Sequence, residues 1–183
     1  MNQKLNFNAL LNNLIDMIKE AQIKLGYEET AVSFYYPLDS LCTILGKKLS
    51  HDEMKAALGD FCKYANSALG SIEVTLDDER FCLRVPAEGA KYVHEKVTGY
   101  DFLEEFINRI CLPCTIDDLL CVFKKYSDNV KCVKADEDEF DYVVYFADGV
   151  PDNYFYCIQL EMGHASYHRF TPGDYKAFGF EYK

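Results

Sequence analysis

Tryptophan is absent from the 183 residues, and proline occurs only five times. The large aromatic bulk therefore falls to 14 Tyr and 13 Phe. No long apolar run exists. The stretch YVVYFA at 142–147 is among the longest and is far too short to cross a bilayer. The ten glycines are dispersed, with no GxGxxG and no P-loop, which excludes the usual dinucleotide and phosphate cradles. A GxSxG nucleophile elbow is also missing. Positive charge is scarce: 19 Lys and Arg stand against 30 Asp and Glu, a net of −11. Such a mean field repels nucleic-acid phosphates and anionic lipid.

What remains is an ordinary globular composition, 49% hydrophobic and 27% charged. The N-terminus MNQKLNFNALLNNLIDMIKE lacks the continuous apolar core and small-residue cleavage site of a signal peptide. A cytoplasmic location is the expectation, and the eight cysteines are then read as reduced thiols, mostly small buried hydrophobes. The acidity is uneven. Residues 1–97 carry 11 basic and 14 acidic side chains, residues 98–183 carry 8 and 16.

Periodicity places a first helix at about 7–25, with Phe7, Leu11, Leu14, Ile18, Ala21 and Leu25 on one stripe and Gly26 as its stop. A short strand AVSFYY (31–36) and a helix at about 39–45 follow. The third helix opens on Ser50 with Glu53 three residues on, a capping box. Then SIEVTLDDERFCLRV (71–85) alternates around a polar turn and reads as a β-hairpin. A helix at about 87–97 bridges to the second half. There DFLEEFINRI (101–110) and TIDDLLCVFKKY (115–126) are amphipathic helices separated by CLPC (111–114). VKCVKADEDEFDYVVYFA reads as a second hairpin, YFYCIQLEM (154–162) and HASYHRF (164–170) as two more strands, and Thr171–Pro172 as the start of a short final helix.

The expected fold is α+β, in two modules at 1–97 and 98–183, the second built of helices followed by a four-stranded antiparallel sheet. VTLDDERFCLRV (74–85) aligns without gaps on VKADEDEFDYVV (133–144), and Ser50, Glu53, Met54 and Leu58 match Thr115, Asp118, Leu119 and Phe123. The halves accordingly read as a twofold pseudo-repeat.

The order helix, strand, helix, capped helix, hairpin over 7–86 resembles a winged helix-turn-helix module. That resemblance implies a third helix entering a DNA major groove. The exposed positions Asp52, Glu53, Lys55, Asp60 and Lys63 sum to −1, and the hairpin turn is mostly acidic. Lys47, Lys48 and Lys55 are the cations a nucleic-acid reading would use, but nucleic acid is not the expected partner. The stretch SFYYPLDSLCTILG is similar to a family of short proteins from gut clostridia known only as a domain of unknown function. That resemblance implies no reaction, ligand or cofactor.

For CLPC three readings compete. A redox dithiol needs a βαβ setting and a helix N-terminus without opposing charge. Here a helix precedes Cys111, and Asp117 and Asp118 follow Cys114. A zinc site needs two more ligands. His164 is the nearest in kind, but a strand four residues long spans about 13 Å, so His168 does not reach the same ion. The plain reading is a connector with packed cysteines. Neither a metal nor a cofactor is expected, and no catalytic residue is assigned. DEDEFD (136–141) lacks the spaced ligands of a calcium loop and reads as a solvated turn. The remaining signal is aromatic: 13 of the 27 rings fall after residue 139, and Tyr154, Phe155 and Tyr156 occupy both faces of one strand. Tyr154, Phe155, Tyr156 and Tyr167 are therefore expected to form a surface for a protein partner or a second copy, in a chain without enzymatic activity.

Overall fold

The computed structural model describes residues 4–135 and 140–177. The chain divides into two compact units, Met1–Thr98 and Gly99–Lys183. Among the described residues there are seven helices and two antiparallel sheets, an α+β fold.

In the first unit, α1 (Phe7–Leu25) starts on Asn6, whose side chain accepts the Ala9 N–H at 3.1 Å. Leu10, Leu14 and Ile18 recur at helical spacing and are fully buried. β1 (Val32–Pro37) alternates: Phe34 and Tyr36 face the helices, whereas Tyr35 is 52% exposed. The Tyr36 hydroxyl donates to Asn13 Oδ1 at 2.7 Å and so ties β1 to α1. α2 (Leu38–Leu45) ends at Gly46, which takes the left-handed conformation with φ 71°. α3 (His51–Leu69) carries the complete capping box, with Ser50 N–H donating to Glu53 Oε2 at 2.8 Å. β2 (Glu73–Asp77) and β3 (Arg80–Val85) form a hairpin closed by only two residues, Asp78 and Glu79, both at positive φ. The sheet order is β1-β3-β2. α4 (Ala87–Lys96) then packs against α3. A Cβ at Gly89 would run into the Leu69 carbonyl oxygen and come within 2.7 Å of Val85 Cγ1, so glycine permits the close approach.

In the second unit, α5 (Asp101–Ile110) and α6 (Ile116–Tyr126) precede β4 (Val130–Lys134), β5 (Tyr142–Phe146), β6 (Phe155–Glu161) and β7 (His164–Phe170), joined in sequential order. The short α7 (Pro172–Ala177) follows Thr171, whose hydroxyl accepts the Asp174 N–H. Tyr156 meets Phe102 and Phe106 of α5 and Phe123 of α6, with ring centroids 5.6, 5.0 and 5.2 Å apart. These pairs are T-shaped, the geometry ring quadrupoles favour. On the opposite face, Phe155 stacks on Tyr175 of α7 at 4.6 Å and joins Val143 and Cys157 in a smaller core. The sheet is therefore covered on both faces, and the adjacent Phe155 and Tyr156 of β6 each find a core on their own face.

Two expectations are corrected. The pseudo-repeat is limited to a capped helix followed by a hairpin. The third strand beside that hairpin is β1 in the first unit, before the capped helix, and β6 in the second, after the hairpin. The gapless alignment of the hairpins also slips by one residue. It would set Val133 opposite Tyr142, but Val133 pairs with Val143. The residues between Lys134 and Tyr142 are odd in number, whereas the first hairpin turns on two. A slip of one exchanges the faces of a strand. Phe140, aligned with the core residue Phe81, consequently lies outside β5. The acidic run 136–139, read as a solvated turn, lies outside the described residues.

Candidate functional site

CLPC forms the turn between α5 and α6, and several contacts hold it. Cys111 caps α5 in a helical conformation and donates its N–H to Ile107 O at 3.1 Å. Arg109 donates to the Pro113 carbonyl at 3.0 Å and forms an ion pair with Asp118 at 2.9 Å. Thr115 and Asp118 complete the capping box of α6, with Thr115 N–H donating to Asp118 Oδ2 at 2.8 Å. The backbone and side-chain bonds from Thr115, and then Arg109, lower the Asp118 carboxyl to a pKa of about 2. Cys111 is exposed and Cys114 is buried. Burial moves the Cys114 thiol upward by more than the nearby Arg109 lowers it, and the Asp118 carboxylate adds a smaller rise, opposite to what a thiolate nucleophile needs.

A further bond sets the turn against the sheet. Cys114 N–H donates to Gly163 O at 2.9 Å, at the tip of the β6–β7 hairpin. His164 therefore starts its strand close to the CLPC turn, but it is exposed and pairs across the ladder with Glu161. Cys111, Cys114 and His164 do not converge on a metal: among the described residues no group of three or more His, Cys, Asp or Glu is placed to hold one.

The same bond joins the two turns, and each turn carries an exposed apolar side chain that sequence reasoning passed over. Leu112 is 58% exposed on the CLPC turn, and Met162 is 94% exposed on the hairpin tip. Met162 and Gly163 are the two turn residues, at φ 50° and 82°. A two-residue hairpin of this kind asks for Asn, Asp or Gly at its first position. A methionine there carries the cost of a left-handed residue, and its side chain makes no compensating burial. The signal was legible in EMGH, a turn dipeptide whose first residue breaks the turn's own chemistry.

The four aromatic residues expected at a surface do not share one. Tyr156 is fully buried, and its hydroxyl donates to Asp152 Oδ2 at 2.6 Å. Burial, and then the Asp152 carboxylate, pushes the phenol well above its ordinary range. Phe155 is 5% exposed beneath α7. Both are core residues, consumed by the helices on either face of the sheet. Tyr154 is half-buried under the Arg169 guanidinium, which lies 4.4 Å from its ring centroid. Tyr167 is half-buried against Phe106 at 5.0 Å.

In the first unit, Lys47, Lys48 and Lys55 are all exposed. They share the surface with Asp52, Glu53 and Asp60, and Asp60 holds Lys63 at 2.9 Å. The hairpin tip adds Asp77, Asp78 and Glu79, all exposed.

Residues 7–179 match the family described as "Domain of unknown function, E. rectale Gene description (DUF3877)". The chain belongs to this bacterial family. The resemblance carried by SFYYPLDSLCTILG is thereby borne out, and the stretch has a physical role: Tyr36 anchors β1, Pro37 precedes α2, and Cys42 Sγ accepts the Leu49 N–H at 3.3 Å. The family match spans both Leu112 and Met162. No curated protein and no solved structure matches the chain. Among the described residues no helix is long and apolar enough to cross a membrane.

Proposed function

We propose that the chain is a non-catalytic, cytoplasmic protein-interaction module whose contact surface is the pair of turns bearing Leu112 and Met162. One observation carries this. Met162 is an apolar residue in a left-handed turn position, almost wholly exposed, on a hairpin tip that is hydrogen-bonded to the turn bearing the exposed Leu112. Folding gains nothing from it there, whereas a partner covering both side chains does. Met is also suited to irregular contact surfaces because its side chain is flexible and polarisable. The test compares the wild-type chain with Met162→Asn and Leu112→Ser, first in sedimentation velocity across a concentration series, then in affinity enrichment from a lysate of the source bacterium. A self-association or a captured protein that both substitutions abolish supports the assignment. Identical behaviour of wild type and variants refutes it.

A second reading, a winged-helix regulator that binds nucleic acid, draws on the order of the first unit: helix, strand, helix, capped helix and hairpin, with sheet order β1-β3-β2. Charge weighs against it, since the cations near α3 are matched or outnumbered by carboxylates. Duplex titration at low salt decides it. Binding lost on replacing Lys47 and Lys48 supports the regulator, and no binding removes it.

A further inference from the structure

The edge of the second unit's sheet differs in charge from the rest of that unit. β4 is the terminal strand of the order β4-β5-β6-β7, and Lys131, Cys132, Val133 and Lys134 are all exposed. Among the described residues no strand pairs with its outer side. Two bonds fix which backbone groups point where: Ala147 N–H donates to Asn129 O at 2.8 Å, and Ala135 N–H donates to Asp141 O at 2.9 Å. Antiparallel ladders alternate, so residues 129, 131, 133 and 135 bond towards β5. Val130, Cys132 and Lys134 therefore direct their N–H and C=O groups outward, three donors and three acceptors in line.

Residues 98–183 hold 8 basic and 16 acidic side chains, yet Lys124, Lys125, Lys131 and Lys134 lie within eleven positions that include one acid, Asp128. Lys125 is engaged by Glu105 at 2.5 Å, while Lys124, Lys131 and Lys134 are exposed. Asp117 also faces Cys132, and the acidic run 136–139 follows β4 in the sequence. The lysines thus sit at the strand and before it. Edge lysines blunt pairing with a like strand, because two copies of β4 would set lysine near lysine. The same charges admit a strand of opposite sign.

We propose that β4 is a docking edge for an extended acidic segment of another protein, which adds to the sheet as a fifth strand. Lys131 and Lys134 point to opposite faces, because they differ by an odd number of positions. The incoming antiparallel strand therefore carries acids three residues apart, one opposite Lys134 and one opposite Lys131, with β-branched residues against Val133 and Val130. Backbone bonds supply the affinity and the two lysines set the choice of strand.

The probe is the peptide acetyl-TEVTEVT-amide, compared with its reversed counterpart acetyl-TKVTKVT-amide, titrated into the full 15N-labelled chain at low salt. Binding of the acidic peptide is expected to slow solvent exchange of the Val130, Cys132 and Lys134 amides and to weaken as salt rises. Cys132→Pro removes an outward donor without touching the bonds to β5, and should abolish binding in a folded chain. Lys131→Glu with Lys134→Glu should lower affinity for the acidic peptide about tenfold or more and favour the basic one, at about 1.4 kcal/mol per tenfold. Equal binding of the two peptides, or binding that survives both variants, overturns the proposal. So does the absence of binding at millimolar peptide. Protection of the same three amides that grows with protein concentration and no peptide assigns the edge to a second copy, and overturns the acidic partner.

Discussion

Replacing Met162 by Asn separates folding from recognition, because the two effects have opposite signs. In the folded chain Met162 is 94% exposed and holds φ at 50°. A left-handed residue with a side chain costs about 1–2 kcal/mol, and Asn escapes much of this because its short amide bonds locally. Almost no buried apolar area is lost at that exposure. Net stabilisation of about 0.5–1 kcal/mol follows, and for a unit of this size it raises Tm by about 2–8 °C. A bound partner that buries the methionine loses about 1.5–3 kcal/mol, a factor of about ten to a hundred in Kd. Differential scanning calorimetry reads the first effect, and the sedimentation and enrichment comparison reads the second. A lower Tm for Met162→Asn would refute the reasoning, since it would mean that the methionine stabilises the fold. A higher Tm with unchanged association would remove the hairpin tip from the contact surface.

Other perturbations have equally definite outcomes. Gly89→Ala should destabilise the first unit by about 1–3 kcal/mol in urea unfolding, although Ala is ordinarily the better helix former, because the new methyl meets the Leu69 carbonyl and Val85. Acid titration of stability should show Asp118: its carboxyl titrates at about 2 in the folded chain, against 3.8 in its ordinary state. The folded state therefore gains from the ionised form above the unfolded value, and this gain is lost as pH falls from about 4 through 2. Asp118→Asn should flatten that part of the pH profile, and an unchanged slope counts against the Thr115–Asp118–Arg109 clamp. Under limiting iodoacetamide, peptide mass mapping should find Cys111 modified well before Cys114, because Cys114 is buried and its thiol is held protonated. Equal rates would mean that the CLPC turn opens in solution.

Much of the secondary structure was legible, for local reasons. The helical periodicity of α1 and the capping boxes at Ser50 and Thr115 are properties of a few adjacent residues, and each element begins where they place it. The buried stripe of α1 nevertheless runs through Leu10, Leu14 and Ile18, with Leu10 in place of the expected Leu11 and Leu25 left exposed. CLPC was legible as a connector because Pro113 interrupts two amphipathic patterns. The failures are tertiary. The pairing of Val133 with Val143 depends on the length of the intervening loop, which no hydrophobic pattern encodes. The rings of Phe155 and Tyr156 look like an exposed surface only if one face of the sheet is taken to be wet. Helices α5 and α6 cover one face and α7 the other, a fact distributed over the whole stretch from Asp101 to Ala177. Met162 escaped attention for the converse reason, being a hydrophobic residue within a strand-like run whose exposure depends on the turn falling at that position.

The origin of the third strand in each sheet has a consequence for how the chain acquires its structure. In the first unit Val32 pairs with Val85, so that sheet closes only when both ends of a segment holding two helices and a hairpin have met. In the second unit every strand pairs with the next one along the chain, and each ladder closes over a short connection. Loop closure is the slow, entropically opposed part of assembling a sheet. Two units of similar size are thus set on different clocks: the second can zip strand by strand, and the first must wait for an encounter between its distant ends.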